Sequence, residues 1–96
     1  VAFEKKTFGM FGGREETVTL LCRDFLAGVI IDRFGRDVMM VPQGDTRFRV
    51  TVPVAVSPQF FGWAAGLGTG IRILRPESVR QEFAAYIREI ASLYDR

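Results

Sequence analysis

The chain has 96 residues, of which 48% are hydrophobic and 12% are aromatic, and its formal net charge at pH 7 is +2. This length fits one domain with a modest core, and the composition is not that of a disordered chain. Histidine is absent and no asparagine occurs, which excludes histidine-based acid–base catalysis and histidine metal sites within the chain. The apolar runs are too short for a membrane span and no signal peptide precedes them, so we expect a cytoplasmic protein with no membrane contact.

Residues 1–15 are interpreted as a connector. The chain starts at Val1 rather than at methionine, from which we expect another domain upstream, and the domain itself is predicted to span 16–96. Apolar side chains are spaced irregularly in the connector, and we expect three of them to dock on another surface as interface residues: Phe8, Met10 and Phe11.

The first predicted strand covers 16–22, where apolar and polar residues alternate. The single cysteine, Cys22, ends this run and is expected to be a buried, unreactive thiol. A helix is predicted over 24–35, with Asp24 as its N-cap and Gly35 as a left-handed stop.

Two more strands are predicted next, over 36–42 and 46–56, joined by a hairpin turn at 43–45. The second of these strands has the most regular alternation in the chain, with apolar residues on one face and Arg47, Arg49 and Thr51 on the other. Proline lacks the N–H that a ladder needs, so Pro53 is expected to thin or bulge the pairing.

The last part of the chain contains a helix, a strand and a longer helix. Ser57 and Pro58 are a typical N-cap and first-turn proline for an apolar helix over 57–67, a strand follows at 70–74, and an amphipathic helix covers 76–93. The resulting order predicts an α+β fold, a ferredoxin-like βαββαβ sandwich with an extra C-terminal helix. Its antiparallel sheet would have the strand order 4-1-3-2, with both inner helices on one face.

The opposite face of this predicted sheet is open and polar. It would carry Thr17, Thr19, Arg47, Arg49 and Thr51, with Arg72 at the adjacent edge. Arginine favours planar, bidentate contacts with anions, so the candidate ligand-binding residues are Arg47, Arg49, Arg72, Thr19 and Thr51. The alternatives are an ordinary solvated sheet face and ion pairs with a neighbouring chain.

The glycine run at 66–70, GLGTG, is predicted to be a turn. A phosphate-binding glycine loop follows a strand and opens a helix, whereas this run follows a helix and precedes a strand. Gly66 and Gly68 suit tight packing and a left-handed cap, and Gly70 suits the turn into the strand. An acylphosphatase would need an asparagine, and an RNA-recognition sheet would need aromatics on its open face, where Phe48 does not lie. We therefore predict no catalytic residues, no metal, no cofactor and no enzymatic activity.

Several stretches together resemble the C-terminal extension, or WCX domain, of WYL-domain transcriptional regulators of bacteria. They are FGMFGG, TVTLLC, the long run FRVTVPVAVSPQFFGWAAGLGTGIRILRPESVRQEF and the closing YIREIASLY. The most specific part is the tryptophan helix, followed by a glycine turn, a short strand ending in Leu-x-Pro and a long amphipathic helix. The resemblance covers essentially the whole chain, and it implies that residues 1–15 connect the extension to an upstream WYL domain.

The resemblance implies a partnership with upstream WYL and helix-turn-helix domains of the same protein, the latter binding DNA. For the extension it suggests a non-catalytic regulatory role through self-association, with a homodimer expected, or through contact with an anionic or nucleotide-like effector. The alternative is direct binding of nucleic acid by the arginine-bearing sheet face, which high salt would weaken steeply.

Overall fold

The structure is a computed structural model and describes residues 14–95. Phe8, Met10 and Phe11 lie outside these residues. Strands and helices follow one another in the order β1 (Arg14–Arg23), α1 (Ala27–Phe34), β2 (Val41–Gln43), β3 (Arg47–Val56), α2 (Pro58–Gly66), β4 (Ile71–Arg75) and α3 (Glu77–Ser92). Short 3₁₀ turns precede α1, at Asp24–Leu26, and β4, at Gly68–Gly70.

The strands form one sheet with the order β2-β3-β1-β4, and all of its neighbouring strands are antiparallel. This is the predicted order, counted from the other edge. The prediction of an α+β fold with a four-stranded antiparallel sheet and three helices is thereby confirmed. The long strands β1 and β3 are the central pair, and their register runs without a shift from Arg14 opposite Val56 to Arg23 opposite Arg47.

The core lies on one face of the sheet, where the even-numbered residues of the central strands point. Val18 pairs with Val52 and Leu20 with Val50, and all four side chains are buried. Each helix adds side chains to this same cluster: Leu26 and Ile30 from the first helical segment, Phe60 and Ala64 from α2, and Val79 from α3. Burying one such large apolar side chain contributes about 1.5–3 kcal/mol. All three helices therefore pack on one face.

Aromatic contacts join the last two helices. The ring centroid of Phe61 in α2 lies 5.4 Å from the ring centroid of Phe83 and 5.2 Å from that of Tyr86, both in α3. Such pairs contribute about 0.5–1.5 kcal/mol beyond the area that they bury. No helix within residues 14–95 is long and apolar enough to span a bilayer.

The start of the first helix differs from the prediction. Asp24 begins a 3₁₀ turn and makes no side-chain cap, and α1 starts only at Ala27. The backbone N–H of Asp24 instead donates to the carbonyl of Thr46, at 2.9 Å, which fastens the end of β1 to the start of β3. Gly35 does end the helix with a positive φ of 98°, and its ψ of 161° lies outside the left-handed helical region.

Three strand predictions also change. β1 begins at Arg14, two residues earlier than predicted. β2 covers only Val41–Gln43 rather than 36–42, because the preceding segment turns back and Val38 donates to the carbonyl of Gly35. The bulge expected at Pro53 is wrong, since this residue pairs with Thr17 in an unbroken register. Pairing does thin there, because β2 reaches only as far as Arg49 along β3.

Candidate functional site

The face of the sheet opposite the helices brings the five predicted ligand-binding residues together. Thr19 lies opposite Thr51 in the central pair, and their hydroxyl oxygens are 3.0 Å apart. Leu21, in the next row, has Arg49 on one side and Arg72 on the other. Residues paired across an antiparallel ladder point to the same face, so these side chains share one surface.

The structure adds two arginines that are not among the predicted ligand-binding residues. Arg23 lies opposite Arg47 at the end of the central pair, and Arg75 lies opposite Thr19. Together they complete a group that we call the arginine face: Arg23, Arg47, Arg49, Arg72 and Arg75.

Arg23 could have been found from the sequence, because it continues the alternation of Thr17, Thr19 and Leu21 one step beyond the predicted strand. Arg75 could not. Simple alternation puts it with Ile71 and Ile73, which face the core, but the β1–β4 register shifts between Thr19 and Leu20. The extra residue at this irregularity turns Arg75 to the face that also carries Arg72.

The spacing of the strands sets the size of the arginine face. Neighbouring strands lie about 4.8 Å apart and residues rise about 3.4 Å along a strand. The backbone positions of Arg49 and Arg72, two strands apart, are therefore about 10 Å from each other. By the same geometry the group extends diagonally over about 17 Å from Arg47 to Arg75.

Positive charge on this face has no acidic partner among residues 14–95. Elsewhere in this part of the chain, other arginines form ion pairs. Arg14 contacts Glu16 at 2.7 Å and Glu82 at 2.9 Å, and Arg80 contacts Glu77 at 2.9 Å. The hydrogen bonds that Arg14 donates to Glu16 and Glu82 raise the pKa of Arg14. The bond from Arg80 lowers the pKa of Glu77. No such bond holds a member of the arginine face to another described residue.

Apart from Glu15, at the far end of the central pair, the other residues of the open face are small, polar or aliphatic. They are Thr17, Thr19, Leu21, Thr51 and Pro53 on the central strands, with Val41 and Gln43 on β2. Phe48 lies on the core face and is only 5% exposed, as the sequence analysis expected. Among the described residues, this face therefore carries arginines but no aromatic side chain on which a base could stack.

The glycine run at 66–70 is a turn between α2 and β4. Gly68 has a φ of 64°, which is the left-handed conformation predicted for it. A Cβ at Gly70 would lie 3.1 Å from a methyl carbon of Leu26, whereas a Cβ at Gly66 would meet no atom within 4 Å. Tight packing thus belongs to Gly70 and not to Gly66 as predicted. No backbone amides of this run face a ligand from the start of a long helix.

Nucleophilic and metal chemistry find no support in the described part of the chain. Cys22 is fully buried, and burial raises the pKa of its thiol to about 11. A thiol with this pKa is almost entirely protonated at neutral pH and is a poor nucleophile. No cluster of metal-binding side chains occurs within residues 14–95.

A second surface feature is a cleft of about 240 Å³ between α1 and α2, lined by Val29, Asp32, Arg33 and Trp63. We call it the Trp63 groove. The ring centroids of Phe34 and Trp63 lie 5.7 Å apart in a T-shaped arrangement, and the guanidinium carbon of Arg33 lies 5.9 Å from the indole centroid. Trp63 itself is half-buried.

Comparison with known proteins identifies the family. The family model described as WCX domain matches residues 14–91, from the first residue of β1 almost to the end of α3. No curated protein and no solved structure matches the chain. Because the match includes every strand and all but the last residue of the final helix, the chain belongs to the WCX domain family, the C-terminal extension of WYL-domain transcriptional regulators.

Proposed function

We propose that this WCX domain is a non-catalytic regulatory module of a bacterial, cytoplasmic WYL-family regulator, and that its arginine face binds an anionic effector. In this proposal the upstream helix-turn-helix domain binds DNA, the WYL domain lies between, and the extension has a ferredoxin-like fold. The element order and the helices packed on one face of the sheet support the last point.

The observation that carries the proposal is the concentration of unpaired arginines on one sheet face. Like charges placed directly opposite each other destabilise a ladder, and Arg23 and Arg47 are such a pair. The acidic residue Glu15 of β1 lies on the same sheet face as these arginines. It is at the opposite end of the ladder from Arg23 and Arg47, and it pairs with Ala55. A sheet that keeps these charges together without a nearby counter-charge is built for an anionic ligand.

The dimensions of the face suggest an effector with more than one anionic group. A single phosphate is contacted by one or two guanidinium groups in a bidentate manner, whereas the arginine face extends over about 17 Å. A phosphate bound between Arg49 and Arg72 would also lie near the hydroxyl pair of Thr19 and Thr51, one row away. We therefore expect di- and triphosphates to bind more tightly than monophosphates.

Isothermal titration calorimetry tests this proposal. Inorganic tripolyphosphate and ATP would be titrated into the 96-residue chain and into the Arg49→Gln/Arg72→Gln variant. Charge-assisted hydrogen bonds are each worth about 1.5–3 kcal/mol, so the double variant should bind at least about tenfold more weakly. Arg80→Gln is the matched control, because it removes an exposed arginine of α3 that is paired with Glu77. Equal affinity of the double variant and the wild type would refute a binding role for the face.

A second candidate function is direct binding of nucleic acid by the same arginines. Because none of the described residues of the face is aromatic, contact with phosphates is favoured over contact with bases. For a single strand, the logarithm of affinity falls with the logarithm of salt concentration with a slope of about −0.7 for each phosphate neutralised. If about three to five phosphates are neutralised, the slope lies between about −2 and −3.5. An oligothymidylate that binds with a slope in this range and displaces ATP would favour this function.

We also propose that the domain takes part in a homodimer, but not through the arginine face. A two-fold dimer brings the same patch of both copies together, which would place arginines against arginines. Apolar side chains at the end of α3 are better suited, because Leu93 and Tyr94 are 76% and 82% exposed. Light scattering after size exclusion should show a dimer at low and high salt alike, and Leu93→Asp should weaken it. A dimer that forms only at high salt would favour the arginine face instead.

A further inference from the structure

Phe25 is an aromatic residue that belongs neither to the core nor to the arginine face. It follows the end of β1, in the 3₁₀ turn Asp24–Leu26, and its side chain is 74% exposed. Among the described residues, the other aromatic side chain exposed to this degree is Tyr94, at the end of α3. Phe25 is therefore the exposed ring that the fold places at an end of the sheet.

Three members of the arginine face lie at this same end of the sheet. Arg23 is the last residue of β1, Arg47 is the first of β3 and Arg72 is the second of β4. The ring of Phe25 lies beside Gly70, because a Cβ built on that glycine would be 3.3 Å from the ring carbon Cζ. Gly70 is two residues before Arg72, which corresponds to about 7 Å along an extended chain. The ring is therefore within reach of a ligand that these arginines hold.

Two contacts fix the position of the ring. Gly70 is buried and has no side chain, so the ring packs beside the backbone there. The backbone N–H of Asp24, the residue before Phe25, donates to the carbonyl of Thr46 at 2.9 Å, which ties the turn to the start of β3. A ring that is already held in place loses little conformational freedom when a ligand stacks on it.

A nucleobase is the planar group that suits this arrangement. Exposed apolar side chains occur singly on most proteins, but this one adjoins the positive charge to which we assign the binding of phosphates. Stacking on one aromatic side chain strengthens the binding of a base about 5- to 150-fold, and it tolerates any base because every base has a π-face. An inorganic polyphosphate has no group that could use the ring.

We propose that Phe25 stacks on the base of a nucleotide whose phosphates bind to the arginine face, so that the effector of this domain is a nucleoside di- or triphosphate. This inference rests on the proposed function, because it needs the arginines to hold the phosphates. The base then lies at the end of the sheet, beyond Arg23, and not over the threonines near its centre. Phe25 thereby distinguishes nucleotides from other polyanions.

Calorimetric titration of two ligands separates stacking from phosphate binding. ATP and inorganic tripolyphosphate would be titrated into the 96-residue chain and into Phe25→Leu, in which an apolar side chain remains beside Gly70. ATP should bind at least about fivefold more weakly to the variant, whereas tripolyphosphate should bind equally to both. Phe25→Tyr should bind ATP as the wild type does, because its ring also stacks. Tyr94→Leu is the matched control, since it removes a ring that is 82% exposed at the end of α3, and it should change neither affinity.

The remaining outcomes distinguish this inference from the proposed function. If the wild-type chain binds neither ligand, the proposed function fails and this inference fails with it. If the wild-type chain binds tripolyphosphate but Phe25→Leu leaves the affinity for ATP unchanged, or weakens both ligands alike, only the stacking is refuted. Nuclear Overhauser contacts between adenine protons and the Phe25 ring in the wild-type complex are a second measurement, which needs no variant. Their absence from a complex that has formed would overturn the inference.

Discussion

Removing one arginine from the pair formed by Arg23 and Arg47 should stabilise the domain. These residues lie directly opposite each other at the end of the central ladder, and both are exposed. If the two charges splay to about 6 Å in water, their repulsion is about 0.7 kcal/mol. Screening reduces this to about 0.4 kcal/mol at 0.1 M salt, where the Debye length is about 10 Å, and to about 0.1 kcal/mol at 1 M, where it is about 3 Å.

Thermal unfolding of Arg47→Gln, followed by circular dichroism at both salt concentrations, measures this effect. For a domain of this size about 1 kcal/mol shifts Tm by 4–8 °C, so the variant should melt about 2–3 °C higher than wild type at 0.1 M salt and almost equally at 1 M. Arg23→Gln should behave alike, and the double variant should gain little more than either single one. Arg80→Gln, which loses its ion pair with Glu77, should not be stabilised. A lower Tm for Arg47→Gln at 0.1 M, or a shift of equal size at both salt concentrations, would refute the repulsion.

Three further predictions concern the core, the glycine turn and the hydroxyl pair. Because burial raises the pKa of the Cys22 thiol from 9.0 to about 11, the thiol should react with Ellman's reagent at pH 8 only after unfolding. The stability that this protonated thiol contributes is complete below pH 9 and is lost as the pH rises through 11, a loss that Cys22→Ala should not show. In urea unfolding, Gly68→Ala should destabilise the domain by about 1–2 kcal/mol, because Gly68 has a positive φ. Gly66→Ala, at the end of α2, should stabilise it by about 0.5–1 kcal/mol, because a Cβ there meets no other atom. Equal effects of the two substitutions would contradict the left-handed conformation of Gly68. Thr51→Val should cost about 1–3 kcal/mol, because it leaves the buried Thr19 hydroxyl without its partner. A Thr19→Val/Thr51→Val double variant whose loss of stability equals the sum of the losses in the two single variants would show that the pair is not coupled.

Strand alternation predicted the sheet face on which most of the candidate residues lie. Arg47 and Arg49 are predicted on the open face because β3 alternates regularly from Arg47, and the structure keeps that alternation as far as Val54. The period of two is a property of the backbone and needs no knowledge of neighbouring strands. Arg23 was missed only because the predicted strand stopped one residue short.

Features that depend on pairing with another strand could not be predicted in this way. The face of Arg75 is set by the irregular register with β1, and the length of β2 is set by how far β3 accompanies it. The N-cap assigned to Asp24 fails for a related reason, since its backbone N–H is bound by Thr46, a residue of the following hairpin. Each of these errors comes from an interaction between residues that are far apart in the chain.

The central strand pair also has a consequence for synthesis on the ribosome. Paired residues of β1 and β3 are between 24 (47 − 23) and 42 (56 − 14) positions apart, so β1 emerges long before its partner. At translation rates of about 5–20 residues per second, the start of β1 waits about 2–8 s for Val56. Its second neighbour, β4, is made later still. The strand at the centre of the finished sheet is therefore the one whose apolar face, with Val18 and Leu20, stays unpaired longest during synthesis.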